Sequence, residues 1–175
     1  DPADEERPVS ALVLPWRRHR LDPTAGIKST SYAACILGLE EARRRGADEG
    51  FWLSERGHVI EACTGNVFVA RGRAVVTPSL RDGARDGVTR GRAIEALREL
   101  GLSVRQSKVR IATLRAADEI FLTSSLRGVR PVVRIDGKNV RGGDPGPISR
   151  RLAERLAAVK TRNGAIEKGD ARRGA

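Results

Sequence analysis

The stretch "EARRRGADEGFWLSERGHVIEACTGNVFVA", residues 41–70, changes its apolar period partway through, and that change decides the fold class. Upstream of it, Tyr32, Cys35, Ile36, Leu39 and Ala42 recur at helical spacing, which predicts a helix over residues 31–45 with one buried face and Gly46 as its stop. Downstream, short apolar runs at residues 50–54, 59–62, 67–70 and 74–77 are separated by Glu-Arg-Gly, Cys-Thr-Gly and Arg-Gly-Arg. Such punctuation predicts strands, with a hairpin around Gly72. A helix feeding a cluster of short strands reads as an α+β domain with most strands in one sheet.

The rest of the chain extends this pattern. A second helix is expected over about residues 90–100, entered from the Gly-rich loop "RDGARDGVT" (residues 81–89) and ended by Gly101. Further strands are expected at 103–108, 119–123 and 129–135, with a helical turn at 113–117. A last helix begins at Pro147, a favourable first-turn residue, and runs to about residue 162. Residues 1–25 are polar, carry Pro2, Pro8, Pro15 and Pro23 around one apolar run at 11–14, and read as a connector entering a domain. Residues 26–162 form that domain, and the Gly- and charge-rich residues 163–175 read as a disordered tail.

At 175 residues and 39% hydrophobic, the chain supports one principal core. Its net charge of +11 raises the question of nucleic acid, yet the arginines are scattered in clusters such as 43–45 and 150–151. With aromatics at 3%, they lack the interleaved rings that single-strand binders use for stacking, so nucleic acid is not expected as a partner. Cys35 and Cys63 make no metal-spaced pair, and His19 and His58 add no cluster, so no metal is expected. Both thiols read as small buried side chains in a reducing compartment. No apolar run is long enough to span a bilayer and no signal-peptide core is present, which gives the expectation of a cytoplasmic protein without membrane contact. The chain begins at Asp1 and holds no methionine, so it is expected to be a piece of something longer.

Four features carry potential chemistry. Lys28, in "GIKSTSY" (residues 26–32), is one of only five lysines and sits just ahead of the first helix. Partial burial would favour its neutral, nucleophilic amine. Glu61 follows the apolar pair Val59-Ile60 and precedes a turn of small residues, where a strand-end carboxylate would face a pocket. Gly87-Val88-Thr89 opens the second helix, and free backbone N–H groups there favour an anion. Thr123-Ser124-Ser125 places three hydroxyls after a strand. Taken singly, each is equally a solvated lysine, an edge-strand glutamate, an N-cap and a loop.

In this order, over residues 26 to about 152, the chain resembles the fold-type IV (class IV) pyridoxal-phosphate enzymes, which include branched-chain and D-amino acid aminotransferases and 4-amino-4-deoxychorismate lyase. The segments that carry the likeness are "GIKSTSY", the opening stretch, "VVTPSL", "DGVTRGRAIEALRELGL", "AADEIFLTSS", "RPVVRIDGKNV" and "GPISRRL". The resemblance implies a C-terminal cofactor-binding domain with a mixed, barrel-like sheet and flanking helices. It also implies pyridoxal 5'-phosphate as cofactor, a small-molecule amino substrate and a homodimeric full-length enzyme. The family's N-terminal domain is absent from this chain and would be supplied by the longer protein or by another chain.

By position, Lys28 matches the Schiff-base lysine and Glu61 the partner of the pyridine nitrogen. Val88 and Thr89 match the phosphate-binding helix start, and Ser124 and Ser125 a second phosphate and substrate loop. Tyr32 resembles a tyrosine placed near the ring hydroxyl, and Thr64 a turn residue beside the cofactor. "SSLRG" (residues 124–128) is closer to the lyases than to the transaminases, and Arg127 and Arg130 are candidates to receive an anionic substrate. The expected reaction is therefore release of pyruvate and 4-aminobenzoate from aminodeoxychorismate. Amino-acid transamination is the alternative, and a non-catalytic fragment or interaction module is a second one.

Overall fold

In the computed structural model, residues 7–23, 25–27 and 30–170 are described, with side chains through residue 159. Strand β1 (Val9–Arg18) leads to helix α1 (Ala33–Arg44) and then to β2 (Glu49–Ser54), β3 (His58–Ala62), β4 (Asn66–Arg71) and β5 (Ala74–Pro78). Helix α2 (Val88–Glu99) is followed by β6 (Ser103–Ser107), β7 (Val109–Arg110) and the short α3 (Ile111–Arg115). Strands β8 (Glu119–Ser124), β9 (Gly128–Ile135) and β10 (Lys138–Asn139) precede helix α4 (Pro147–Asp170). The period change at residues 41–70 thus marks a real passage from helix to strands, and Gly72, at φ 55°, closes the β4–β5 hairpin.

Among the described residues, the ten strands join one mixed sheet in the order β6-β5-β4-β8-β9-β1-β2-β3-β7, with β10 on β9. Pairs β1–β2, β1–β9 and β5–β6 are parallel; the others are antiparallel. The sheet curls until β7, at one end, meets β5 near the other, giving a nearly closed barrel of the kind the resemblance implies.

A curled sheet covered by helices buries both faces of its strands, which is why β2 and β4 read as continuous apolar runs. Val67 and Val69 point inward with Ile120, Leu122, Val59 and Phe51, whereas Phe68 and Ala70 point outward under α2 and α4, against Ala93, Leu97 and Leu152. Phe68 and Phe121 are register partners across β4 and β8 and stack with centroids 5.2 Å apart. Each such buried side chain contributes roughly 1.5–3 kcal/mol through removal from water. A third cluster, Leu12, Leu14, Trp52, Ile60 and Ala42, seats α1 on the sheet.

Two expectations at the chain ends need correction. Residues 1–25 were expected to form a connector, but Val9–Arg18 is a strand inside the sheet, paired on both edges, with Val9, Ala11 and Leu14 buried. Its prolines mask it: Pro15 lies within the β1–β2 register shift between Val13 and Arg17, where a missing N–H is tolerated. At the other end, α4 continues through residues 163–170 instead of opening into a tail at 163. Gly164 and Gly169 each cost a helix about 1 kcal/mol, but Ala165, Glu167 and Lys168 between them are good helix formers. Residues 171–175 lie outside the described residues. No helix among the described residues is long and apolar enough to cross a membrane.

Helix α4 is anchored by a buried carboxylate. Glu119, at the start of β8, accepts hydrogen bonds from the backbone N–H groups of Ile148 and Ser149 at 3.0–3.1 Å and from the Ser149 hydroxyl at 3.3 Å. It caps the positive end of the helix dipole from a neighbouring strand. Glu119→Ala strands these buried donors and is expected to lower stability by about 2–3 kcal/mol, measured as a shift in the guanidinium unfolding midpoint with an unchanged slope.

Candidate functional site

A cavity of about 350 Å³ opens where the C-terminal end of β1, the end of β3, the start of α1 and the 82–85 loop converge. Arg17 and Arg18 enter it from β1, Ile60, Glu61 and Ala62 from β3, and Tyr32 and Cys35 from the start of α1. Of the residues singled out in the sequence, Tyr32 and Glu61 meet at this hollow. Lys28 lies outside the described residues, but Ile27 and Ser31, on either side of it in sequence, both line the cavity.

Glu61 is the best-defined group here. Its side chain is 12% exposed, and its Oε1 accepts a hydrogen bond from Arg18 Nη1 at 2.6 Å. It also receives the backbone N–H of Arg85. Burial pushes the Glu61 carboxyl up from its ordinary value, while Arg18, and after it Arg85, oppose that shift by favouring the charged form. The Arg18 guanidinium lies over the ring of Trp52, 4.2 Å from its centroid, and Trp52 stacks on Trp16 with centroids 6.0 Å apart. Arginine 18 is thus held by a ring on one side and a carboxylate on the other.

The second group gathers at the start of α2. Gly87 occupies the N-cap position without a side-chain cap, Val88 is exposed, and the Thr89 and Ser125 hydroxyls are 3.3 Å apart. Ser124 Oγ accepts the backbone N–H of Arg127, which folds the loop after β8 onto itself. Two glycines permit this assembly: a Cβ on Gly87 would collide with Asn66 Oδ1, and one on Gly65 would lie 2.7 Å from the Thr123 carbonyl oxygen. Asn66 also donates to the Arg85 carbonyl at 2.8 Å, so the 82–85 loop ties the helix start to the Glu61 cavity.

Thr64, Val88, Thr89, Ser124, Ser125, Arg127 and Arg130 line no part of the cavity. The Thr64 hydroxyl is committed to Glu49, a fully buried carboxylate on β2 that also accepts the backbone N–H of Gly50. Burial pushes the Glu49 carboxyl up, and Thr64, Gly50 and then Arg130 oppose it. Arg130 acts electrostatically on both Glu49 and Asp48.

Arg18, Trp52 and Arg85 line the cavity and were missed by the sequence reading. Arg18 was hidden within a run of arginines, and the signal that would have found it is its place at the end of an apolar strand. The two thiols, expected as buried packing, are half-buried and both face the cavity.

Two outcomes test these electrostatics. Because the folded-state pKa of Glu49 is raised, its contribution is fully present below the ordinary glutamate pKa and is lost as pH rises through the raised value. Glu49→Gln is expected to be more stable than the parent above that window, with a shallower loss of stability across it, in denaturant unfolding repeated over pH. Arg18→Leu removes the cation that opposes burial, so the titration midpoint of the Glu61 carboxyl, followed by carbon-13 NMR, is expected to move further up.

Comparison with known proteins places the chain in a family. Residues 1–135 match the family described as amino-transferase class IV. The branched-chain-amino-acid aminotransferase of Escherichia coli K12 is 32% identical over 158 residues, covering 89% of this chain and 51% of that protein. Among solved structures, a branched-chain amino acid aminotransferase from Thermobaculum terrenum in its PLP form superposes with a TM-score of 0.85 at 30% identity, covering 91% of this chain and 53% of that one. A candidate 4-amino-4-deoxychorismate lyase from Legionella pneumophila gives 0.81 at 29% identity, covering 87% and 56%. The chain spans about half the length of the curated relatives it matches. With the matched residues taking in β1, the Glu61 cavity and the start of α2, the chain belongs to the class IV amino-transferase family.

Proposed function

We propose that this chain is the cofactor-binding half of a pyridoxal-phosphate enzyme that acts on a small amino substrate, with Lys28 as the covalent attachment point. The observation that carries the reading is the single cavity in which Glu61, Tyr32 and the residues flanking Lys28 meet. The donor set fits the group: a buried carboxylate suits a protonated pyridine nitrogen, and a helix start beside Thr89 and Ser125 suits a phosphate. When bound, pyridoxal phosphate supplies an electron sink for the carbon that loses its proton.

The chain's own residues would do the rest. Lys28 Nζ would accept and return that proton. Glu61, held by Arg18 and the Arg85 N–H, would keep its charge against the ring nitrogen. Tyr32 would stand on the opposite wall, and Val88, Thr89, Ser124 and Ser125 would orient the phosphate end. The complete enzyme would add its N-terminal domain and a second subunit.

Two reactions have separate support. Aminodeoxychorismate lyase is favoured by "SSLRG" at residues 124–128 and by a cavity rim carrying Arg17, Arg20 and Arg85, which suits a substrate with carboxylates. Amino-acid transamination is favoured by the curated relatives, several of which are branched-chain aminotransferases. Pyruvate release from aminodeoxychorismate, set against 2-oxoglutarate-dependent amino transfer from leucine or D-alanine, separates them.

Attachment is tested without turnover. Pyridoxal phosphate followed by borohydride is expected to add the cofactor's mass to the peptide containing Lys28, and addition at a different lysine overturns the assignment. In the active enzyme, Lys28→Ala is expected to lower kcat by about 10²–10⁴-fold or more, the range for loss of a general acid–base group.

A further inference from the structure

Cys35 and Cys63 are 28 residues apart in sequence and meet at the cavity wall. The Cys35 thiol donates to the Cys63 carbonyl oxygen at 2.7 Å, which sets it beside the Cys63 side chain. Small residues make room for them: a Cβ on Gly38 would lie 2.5 Å from the Cys63 sulfur, and one on Gly50 would lie 3.1 Å from it. Both cysteines are unoxidised and half-buried.

We propose that Cys35 and Cys63 form an oxidisable dithiol, a modification site on which a small peroxide closes a reversible disulfide between the start of α1 and the β3–β4 turn. The proposal stands on the contact of the Cys35 thiol with Cys63 and on the small residues around the Cys63 sulfur, and does not depend on the cofactor reading.

The division of labour follows from the surroundings. The neighbouring Cys63 side chain holds the Cys35 thiol below its ordinary value, against burial and the charge of Glu49, whereas the neighbouring Cys35 and then burial push Cys63 up. Cys35, in the first turn of α1 where the helix dipole favours a thiolate, is the attacking group and Cys63 the resolving one. The Cys35 thiolate attacks one peroxide oxygen, the O–O bond breaks, and hydroxide leaves and takes up the proton that Cys35 released. The Cys63 sulfur then displaces the oxygen from the Cys35 sulfenic acid, loses its proton, and a second water departs. Two thiols lose two electrons, and one peroxide becomes two waters.

The bond would join two walls of the cavity. Cys35 lies three residues after Tyr32, and Cys63 lies two residues after Glu61, so the disulfide would set the spacing between those two side chains. Trp52 borders the same spot, since its ring also comes within 3.2 Å of a Cβ built on Gly38. Oxidation is therefore expected to quench tryptophan emission.

The test is stoichiometric hydrogen peroxide added to the 175-residue chain, followed by intact mass and a non-reducing tryptic map. The expected result is a loss of two hydrogens, with the peptides spanning residues 29–43 and 57–71 linked and released by dithiothreitol. Closure is expected at least tenfold faster in the folded chain than in the same chain unfolded in urea. In Cys63→Ser, the expected product is oxygen added at Cys35, with no cross-link. Equal rates in the folded and unfolded chain, an interchain dimer, or oxygen addition at Cys35 in the parent with Cys63 untouched would each overturn the proposal.

Discussion

The pairing of β1 on both of its edges is the constraint on which the rest of the structure depends. On one side β1 joins β9, and through it β8, β4, β5 and β6; on the other it joins β2, and through it β3 and β7. Without this ten-residue strand the sheet divides into two parts, each with a new exposed edge. Both pairings are parallel, so the chain must cross back between β1 and β2, and α1 makes that crossing. Ile27 and Ser31, on the connection from β1 into α1, lie by the C-terminal end of β1.

That end is also where the electrostatics are set. Arg18 is the last residue of β1, and its guanidinium meets a carboxylate at the end of β3, two strands away. Burial alone would favour a neutral Glu61, and a neutral carboxyl would serve poorly as partner to a cation. Arg18 and the Arg85 N–H work against burial, so the carboxylate is held by groups from two other segments of the chain. Glu49 shows the contrasting case: fully buried, it has hydroxyl and backbone donors and a more distant arginine. The two acids lie on neighbouring strands, but only Glu61 faces the cavity.

Much of the fold was legible because its strands are short, apolar and clearly punctuated. Strands at 119–124 and 128–135, the hairpin at Gly72 and the helix opening at Val88 all lie within a few residues of where periodicity places them. β1 was not legible, because proline normally marks connectors, and a proline at a register shift cannot be told locally from one in a linker. Thr64 was chosen for its place in a turn, yet a turn does not specify which way a hydroxyl points, and this one is drawn to Glu49. Arg130 has the same history. A strand residue's alternation gives its face, but the buried acid it serves sits on a strand that is not its neighbour in the sheet.

By itself the sequence determined the succession of helices and strands, the α+β class and the order Lys28, Glu61, Val88-Thr89, Ser124-Ser125, because period, punctuation and order are properties of a line. Only the tertiary structure decided that β1 belongs to the sheet, that Arg18 clasps Glu61 and that the two cysteines touch. Those facts concern pairs of residues 28 or more positions apart. Their proximity is set by how the sheet curls and pairs, which no local pattern records.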